Sequence, residues 1–147
     1  MNVVSALHTY LVPQKFDRAL KSIRGALNEV ELDVVGEFEL PEDMRSHPEG
    51  EASASRILLV SSPILDFEAM ALARASAVFF PLHVLVSAEN EQTRVSVVNP
   101  TSLFEARLPV GAGDPMDRLV ARVAMALDCI LERSDRALYG EGKYGKN

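Results

Sequence analysis

Residues 56–63 read RILLVSSP and residues 78–86 read VFFPLHVLV, and these two stretches decide the fold. Each predicts a strand that is apolar on both of its faces. Such a strand is covered on both sides in a folded protein. In a small domain with one helical layer, a second copy of the chain is the simplest second cover, so the pattern predicts a homodimer. Pro81 cannot donate to a strand ladder and predicts a local break.

The residues before this centre predict a strand, a helix and a second strand. Residues 3–12 alternate as a strand does, and residues 15–28 carry one apolar helical face. Residues 31–40 alternate apolar and acidic side chains, which predicts a strand with one face packed and one face in water. The packed face is expected to hold Leu32, Val34, Phe38 and Leu40, and the wet face Glu31, Asp33, Glu37 and Glu39. Residues 41–55 are polar and predict a mobile loop.

The residues after the centre complete an α+β pattern. Residues 66–76 predict a short helix, and residues 94–99 predict a strand that forms a hairpin with the stretch ending at residue 86. Asp114 and Pro115 predict the start of a long final helix. The order predicts a curved antiparallel sheet of about five strands, with two longer helices on one face and a short connecting helix. We expect one domain over residues 1–138 and a flexible tail over residues 139–147.

Composition excludes several classes of protein. The 147 residues are 48% hydrophobic with a net charge of −6, which is unlike a disordered chain. The single cysteine rules out a disulfide scaffold, and the acidic balance argues against nucleic acid as a partner. There is no apolar run long enough to cross a membrane, and the first residues lack the basic segment of a signal peptide. We therefore expect an acidic cytoplasmic protein that binds neither nucleic acid nor membrane.

The familiar motifs of catalysis and cofactor binding are absent from the sequence. Gly111 and Gly113 stand before a predicted helix, but Met116 occupies the position of the third glycine of a dinucleotide motif. Paired-histidine and Cys-x-x-Cys metal motifs are missing. Cys129 lies beside an apolar helix face and is expected to pack as a small hydrophobic residue. The sequence therefore predicts neither a metal site nor a cofactor.

The candidate ligand-binding region is centred on His83, a titratable side chain in an apolar strand. The residues expected near it are Ser61, Ser62, Phe80 and Pro81. Three interpretations remain open. His83 is a hydrogen-bonded neutral histidine in a core or interface, or the base of a serine–histidine pair in a small hydrolase or transferase, or the ligand of a cofactor such as haem. A serine–histidine pair needs direct contact between its members and a third group to orient the imidazole.

The central segment also resembles a known family. Residues 56–63, a short helix and then residues 80–86 resemble the core of the domain of unknown function 302, and the resemblance extends over residues 5–105. It implies a small fold similar to the TATA-binding-protein-like class, which often forms a homodimer, and it brings no established activity. Members of that family commonly have Cys-Asn-Pro where this chain has Ser61-Ser62-Pro63, and Pro-Cys-Asn where it has Pro81-Leu82-His83. A thiol-based redox or metal role therefore does not carry over.

Together these observations predict a homodimeric domain without catalytic activity. We expect it to bind a small apolar ligand or a protein partner.

Overall fold

The computed structural model describes residues 7–40, 54–103 and 110–139. The alternating and doubly apolar stretches form five strands, and the two long amphipathic stretches form helices. In chain order the elements are β1 (Leu7–Val12), α1 (Phe16–Glu29), β2 (Asp33–Glu39), β3 (Ser55–Ser61), α2 (Pro63–Leu72), a 3₁₀ helix (Arg74–Phe79), β4 (Leu82–Glu89), β5 (Gln92–Val98), a second 3₁₀ helix (Pro100–Leu103) and α3 (Asp114–Tyr139).

The five strands form one open antiparallel sheet in the order β1-β5-β4-β3-β2. β4 is therefore the central strand, and β4 and β5 are joined by a two-residue turn in which Asn90 has a positive φ of 58°. Helices α1 and α3 pack against each other and against one face of the sheet. The predicted α+β class, with its five antiparallel strands and helices on one face, is confirmed.

The core lies between this face of the sheet and the two long helices. Alternate residues of the strands point into it, so that Leu58 lies opposite Val84 and Val86 lies opposite Val95, all of them buried. Aliphatic residues dominate the core, in line with a chain that has no tryptophan. Burial of aliphatic side chains is the main force that holds the layers together.

The prediction of which β2 side chains face the core is wrong for the second half of the strand. A bulge between Val34 and Gly36 adds one residue to the strand, and an added residue reverses the faces of everything beyond it. Phe38 therefore lies opposite Ile57, on the sheet face away from the helices, and is 57% exposed. Glu37 and Glu39 lie on the helix side.

Arginines pair with these two carboxylates on the helix side of the sheet. Arg24 of α1 forms an ion pair with Glu37, and Arg56 of β3 forms one with Glu39 at 3.2 Å. The guanidinium of Arg56 also lies 5.8 Å from the ring centre of Phe16. Both glutamates are exposed, as the alternation predicts, but they lie on the helix side of the sheet and pair with arginines there.

The middle of the chain differs from its prediction at three boundaries. Residues 78–80 do not continue the strand, because residues 74–79 form a 3₁₀ helix and β4 begins after Pro81, where the break was expected. The short helix begins at Pro63, three residues before its predicted start at Asp66. Ser55, assigned to the loop over residues 41–55, is the first residue of β3.

Other predicted segments fall partly outside the described residues. These are residues 3–6 of the first strand, residues 41–53 of the loop and residues 140–147 of the tail. In the described part of the chain, no helix combines the length and the hydropathy that a membrane crossing requires.

Candidate functional site

A cleft of about 320 Å³ opens where β3 ends and α2 begins. We call it the Ser61 cleft. It is surrounded by the bulge of β2, the first two turns of α2, the end of the first 3₁₀ helix and the cis peptide between Phe80 and Pro81. Its lining consists of two polar residues, Ser61 and Asp66, and the apolar residues Val35, Met70, Ala77, Phe80 and Pro81.

The two polar residues of the cleft form a pair. Ser61 ends β3, Asp66 lies in the first turn of α2, and the Ser61 hydroxyl donates to Asp66 Oδ2 at 2.5 Å. The second carboxylate oxygen, Oδ1, is shielded from water and accepts no hydrogen bond from the described residues. A carboxylate can accept several hydrogen bonds, so Asp66 retains unused acceptor capacity.

Ser62 has a structural role, although it was one of the candidate ligand residues. It is the N-cap of α2, its hydroxyl oxygen accepts from the Leu65 amide at 3.4 Å, and only 2% of the residue is exposed. Pro63 follows at the first helical position, where its missing N–H costs no helical hydrogen bond. The side chain of Ser62 is not part of the cleft lining.

The cap makes a testable contribution to stability. Ser62→Ala removes the acceptor for the Leu65 amide, and loss of an N-cap of this type costs about 0.5–2 kcal/mol. We expect urea unfolding followed by circular dichroism to show a loss in this range. Because Ser62 lies outside the lining, we expect the variant to keep the Ser61–Asp66 pair of the cleft. A loss below about 0.5 kcal/mol would contradict the assignment of Ser62 as a helix cap.

His83 lies outside the cleft lining, on the sheet face away from the helices. It is opposite Leu59 and is exposed. Ser61 lies two residues beyond Leu59 on the same strand, a diagonal position that places such residues about 7–8 Å apart. No hydrogen bond links His83 to a serine in residues 7–40, 54–103 or 110–139, and the Ser61 proton is directed to Asp66 instead. His83 is therefore not a core residue of the single chain, and its placement in an interface stays a prediction.

Three of the five candidate residues, Ser61, Phe80 and Pro81, thus line one cavity together. The sequence reasoning missed Asp66, because the short helix was predicted to begin there and not three residues earlier. The pair Ser62-Pro63 was the available signal, since a serine cap followed by proline marks a helix start. With that start, Asp66 falls in the first turn, beside the end of β3.

The described residues contain no group of three or more His, Cys, Asp or Glu side chains arranged to hold an ion. Cys129, on α3, is a half-buried free thiol.

Comparison with known proteins identifies the fold and the family. No curated protein matches the chain. A solved structure, that of an uncharacterized conserved protein DUF302 from Bacillus stearothermophilus, matches with a TM-score of 0.73 and 17% sequence identity, over 85% of this chain and 98% of that one. At this identity the likeness shows the fold alone. The sequence model of the family described as Domain of unknown function DUF302 matches residues 8–133, and the chain therefore belongs to that family.

Proposed function

We propose that this protein is a non-catalytic domain that binds a small, mostly apolar ligand in the Ser61 cleft. The observation that carries the proposal is the lining itself, in which one hydrogen-bonded polar pair is surrounded by five apolar residues. Small-molecule sites in proteins commonly combine apolar walls with a few placed polar groups that fix orientation. The cleft is at the lower end of the usual size range for such sites, which suits a ligand of about one ring with a short chain.

The polar pair favours binding over nucleophilic catalysis. The Ser61 hydroxyl donates to Asp66, and the described residues of the cleft lining include no histidine that could accept the Ser61 proton and return it to a leaving group. Nucleophilic catalysis by serine depends on such a base, oriented by a third group. The hydrolase or transferase hypothesis and the haem hypothesis both depended on His83, which lies outside the cleft lining.

A neutral probe tests ligand binding. We expect 2-phenylethanol, titrated into ¹⁵N-labelled protein, to give saturable shifts of the amide signals of Ser61, Asp66 and Phe80. Ala77→Leu, which places extra carbons in the cleft, should weaken binding about tenfold or more. Ala75→Leu is the matched control, since Ala75 is also exposed on the same 3₁₀ helix but does not line the cleft. Absence of saturable binding, or an equal loss in both variants, would overturn the proposal.

We also propose that two copies of the chain pair through the sheet face that the helices leave uncovered. We call this the open face. Its apolar residues come from all five strands and are half-buried or exposed: Leu7, Leu11, Phe38, Ile57, Leu59, Leu85 and Val98. Phe38, Ile57 and Leu85 lie side by side on three neighbouring strands of this face, next to Leu59. Soluble monomers rarely expose contiguous apolar patches larger than a few hundred Å².

The size and the charge of the open face suit a second copy. Five strands of this length cover roughly 500 Å² when the sheet is projected onto a plane. Side chains that rise from the sheet make its accessible area larger, closer to the roughly 800 Å² that each partner of a stable complex buries. The Arg94–Glu89 ion pair on this face is already formed within one chain, at 2.7 Å, and Arg94 holds the pKa of Glu89 below its ordinary value. The face therefore has few unpaired charges to desolvate when it meets its own copy.

Light scattering at micromolar protein concentration tests the pairing directly. We expect a mass of twice the chain, and a mass of one chain would contradict the dimer.

The cytoplasmic location and the resemblance to the TATA-binding-protein-like class stay predictions of the sequence.

A further inference from the structure

Among the residues that the structure describes, Asp66 is the one ionisable side chain in the lining of the Ser61 cleft. The remaining lining residues are Ser61 and five apolar residues, and none of them is a lysine, arginine or histidine. Asp33 lies opposite Ser61 in the sheet, so the nearest charge across the strand pair is also negative. A carboxylate in an apolar cleft without a compensating cation repels anionic ligands and attracts cationic ones.

The hydrogen-bonding capacity of the polar pair points to the same kind of ligand. Ser61 has a single hydroxyl proton, and that proton is used in the bond to Asp66 Oδ2. What remains for a ligand is acceptor capacity only, on the Ser61 oxygen and on the carboxylate. Asp66 Oδ1 is an acceptor without a partner among the described residues, and an unpaired buried acceptor is costly. A ligand that supplies a donor corrects this imbalance.

The carboxylate can turn toward such a donor. Oδ1 is shielded from water, but the terminal torsion of an aspartate side chain has a broad energy profile, so a small rotation that keeps the Ser61 hydrogen bond can turn Oδ1 toward a ligand. An ammonium group has three donors and a positive charge, and charge-assisted hydrogen bonds are about twice as strong as neutral ones. The apolar remainder of the ligand would pack against Phe80 and Met70, which line the same cleft.

We propose that the Ser61 cleft selects small apolar primary amines, bound as ammonium ions with the charged nitrogen at Asp66 and Ser61. This inference rests on the proposed ligand-binding function and specifies its ligand class. It assigns Asp66 the role of a specificity-determining residue that no sequence motif marks.

Three probes of similar shape and different charge test the inference. These are 2-phenylethylammonium, neutral 2-phenylethanol and 3-phenylpropionate, each titrated into ¹⁵N-labelled protein at the same pH and ionic strength. We expect the ammonium to bind about tenfold more tightly than the alcohol, and the carboxylate to bind more weakly than the alcohol. Shifts should centre on the amides of Ser61, Asp66 and Phe80.

Two isosteric variants separate the local effect of Asp66 from the overall charge. Asp66→Asn should reduce the preference for ammonium over alcohol to within about twofold. Glu68→Gln removes a carboxylate from the same helix, but Glu68 pairs with Arg118 and does not line the cleft, so this variant should keep the full preference. The thermal unfolding of both variants shows whether they are folded, and the ranking of the three probes on the natural protein tests the inference without either variant.

The outcomes distinguish this inference from the function on which it rests. If none of the probes binds, the proposed ligand-binding function is itself wrong. If the alcohol binds in the cleft and the ammonium binds no more tightly, ligand binding stands and amine selection is overturned. An equal loss of preference in Asp66→Asn and Glu68→Gln would assign the effect to overall charge and would also overturn the inference.

Discussion

Leu58→Ala should lower the free energy of unfolding by about 2–5 kcal/mol, because it opens a cavity in the middle of the core. Leu58 is fully buried, lies opposite Val84 in the sheet, and belongs to the core cluster. The strands on either side of β3 hold its backbone in register, so the surrounding side chains can close the cavity only in part. Domains have total stabilities of about 5–15 kcal/mol, so this single change removes a large share.

Urea unfolding followed by circular dichroism measures the effect, with protein concentration held fixed because a dimer unfolds in a concentration-dependent way. Ile64→Ala is the matched control. It also removes three carbons from an aliphatic side chain, but Ile64 is 72% exposed on α2, and exposed substitutions usually change stability by less than about 0.5 kcal/mol. A loss below about 1 kcal/mol for Leu58→Ala, or equal losses in both variants, would contradict the core assignment.

The sequence predicts correctly those elements in which the spacing of apolar residues matches the residues that are buried in the structure. The alternation in β5 and the apolar stripe of α1 each identify their element, because one face of each element is buried. The bulge in β2 was not predictable, since Val34 and Val35 are both apolar and the sequence gives no mark of the added residue. That one residue reverses the facing of Phe38 and of both glutamates.

The strand propensity of individual residues also fails to predict the structure of the segment between α2 and β4. Valine and phenylalanine favour strands, and the sequence predicts one over residues 78–80, yet Val78 and Phe79 end a 3₁₀ helix. Phe79 packs there against the core, and Val78 is 79% exposed. The candidate cleft depends on this departure, because Ala77 and Phe80 reach it only when the strand begins after Pro81. The sequence could therefore predict polar residues at the end of β3, but not the wall that encloses them.

Leu85→Lys should break the proposed dimer, raising its dissociation constant by about 100-fold or more. Leu85 lies on β4, the central strand, opposite Ile57 on one side and Ser96 on the other, so it is close to the middle of the open face. In a two-fold symmetric interface the central residues of one copy meet the same residues of the other. The substitution would bury two like charges near the axis, and Glu89, on the same strand and face, is already paired with Arg94.

Light scattering and sedimentation measure the change, and circular dichroism shows that the variant is folded. Phe67→Lys is the matched control, because Phe67 is also apolar and is 74% exposed, but it lies on α2 and away from the open face. We expect that control to remain a dimer. If instead Phe67→Lys dissociates the dimer and Leu85→Lys does not, the copies pair through the exposed apolar side of α2, and the open-face proposal is wrong.

A charge-swap experiment makes the symmetry argument specific. Leu85→Glu should dissociate the dimer for the same reason as Leu85→Lys, since each places like charges at the same central position. When the two variants are mixed, a lysine of one copy can meet a glutamate of the other, so a heterodimer should form that neither variant forms alone. Residues far from the two-fold axis do not meet their own copies. Recovery on mixing therefore locates the axis near Leu85, which dissociation of a single variant cannot do.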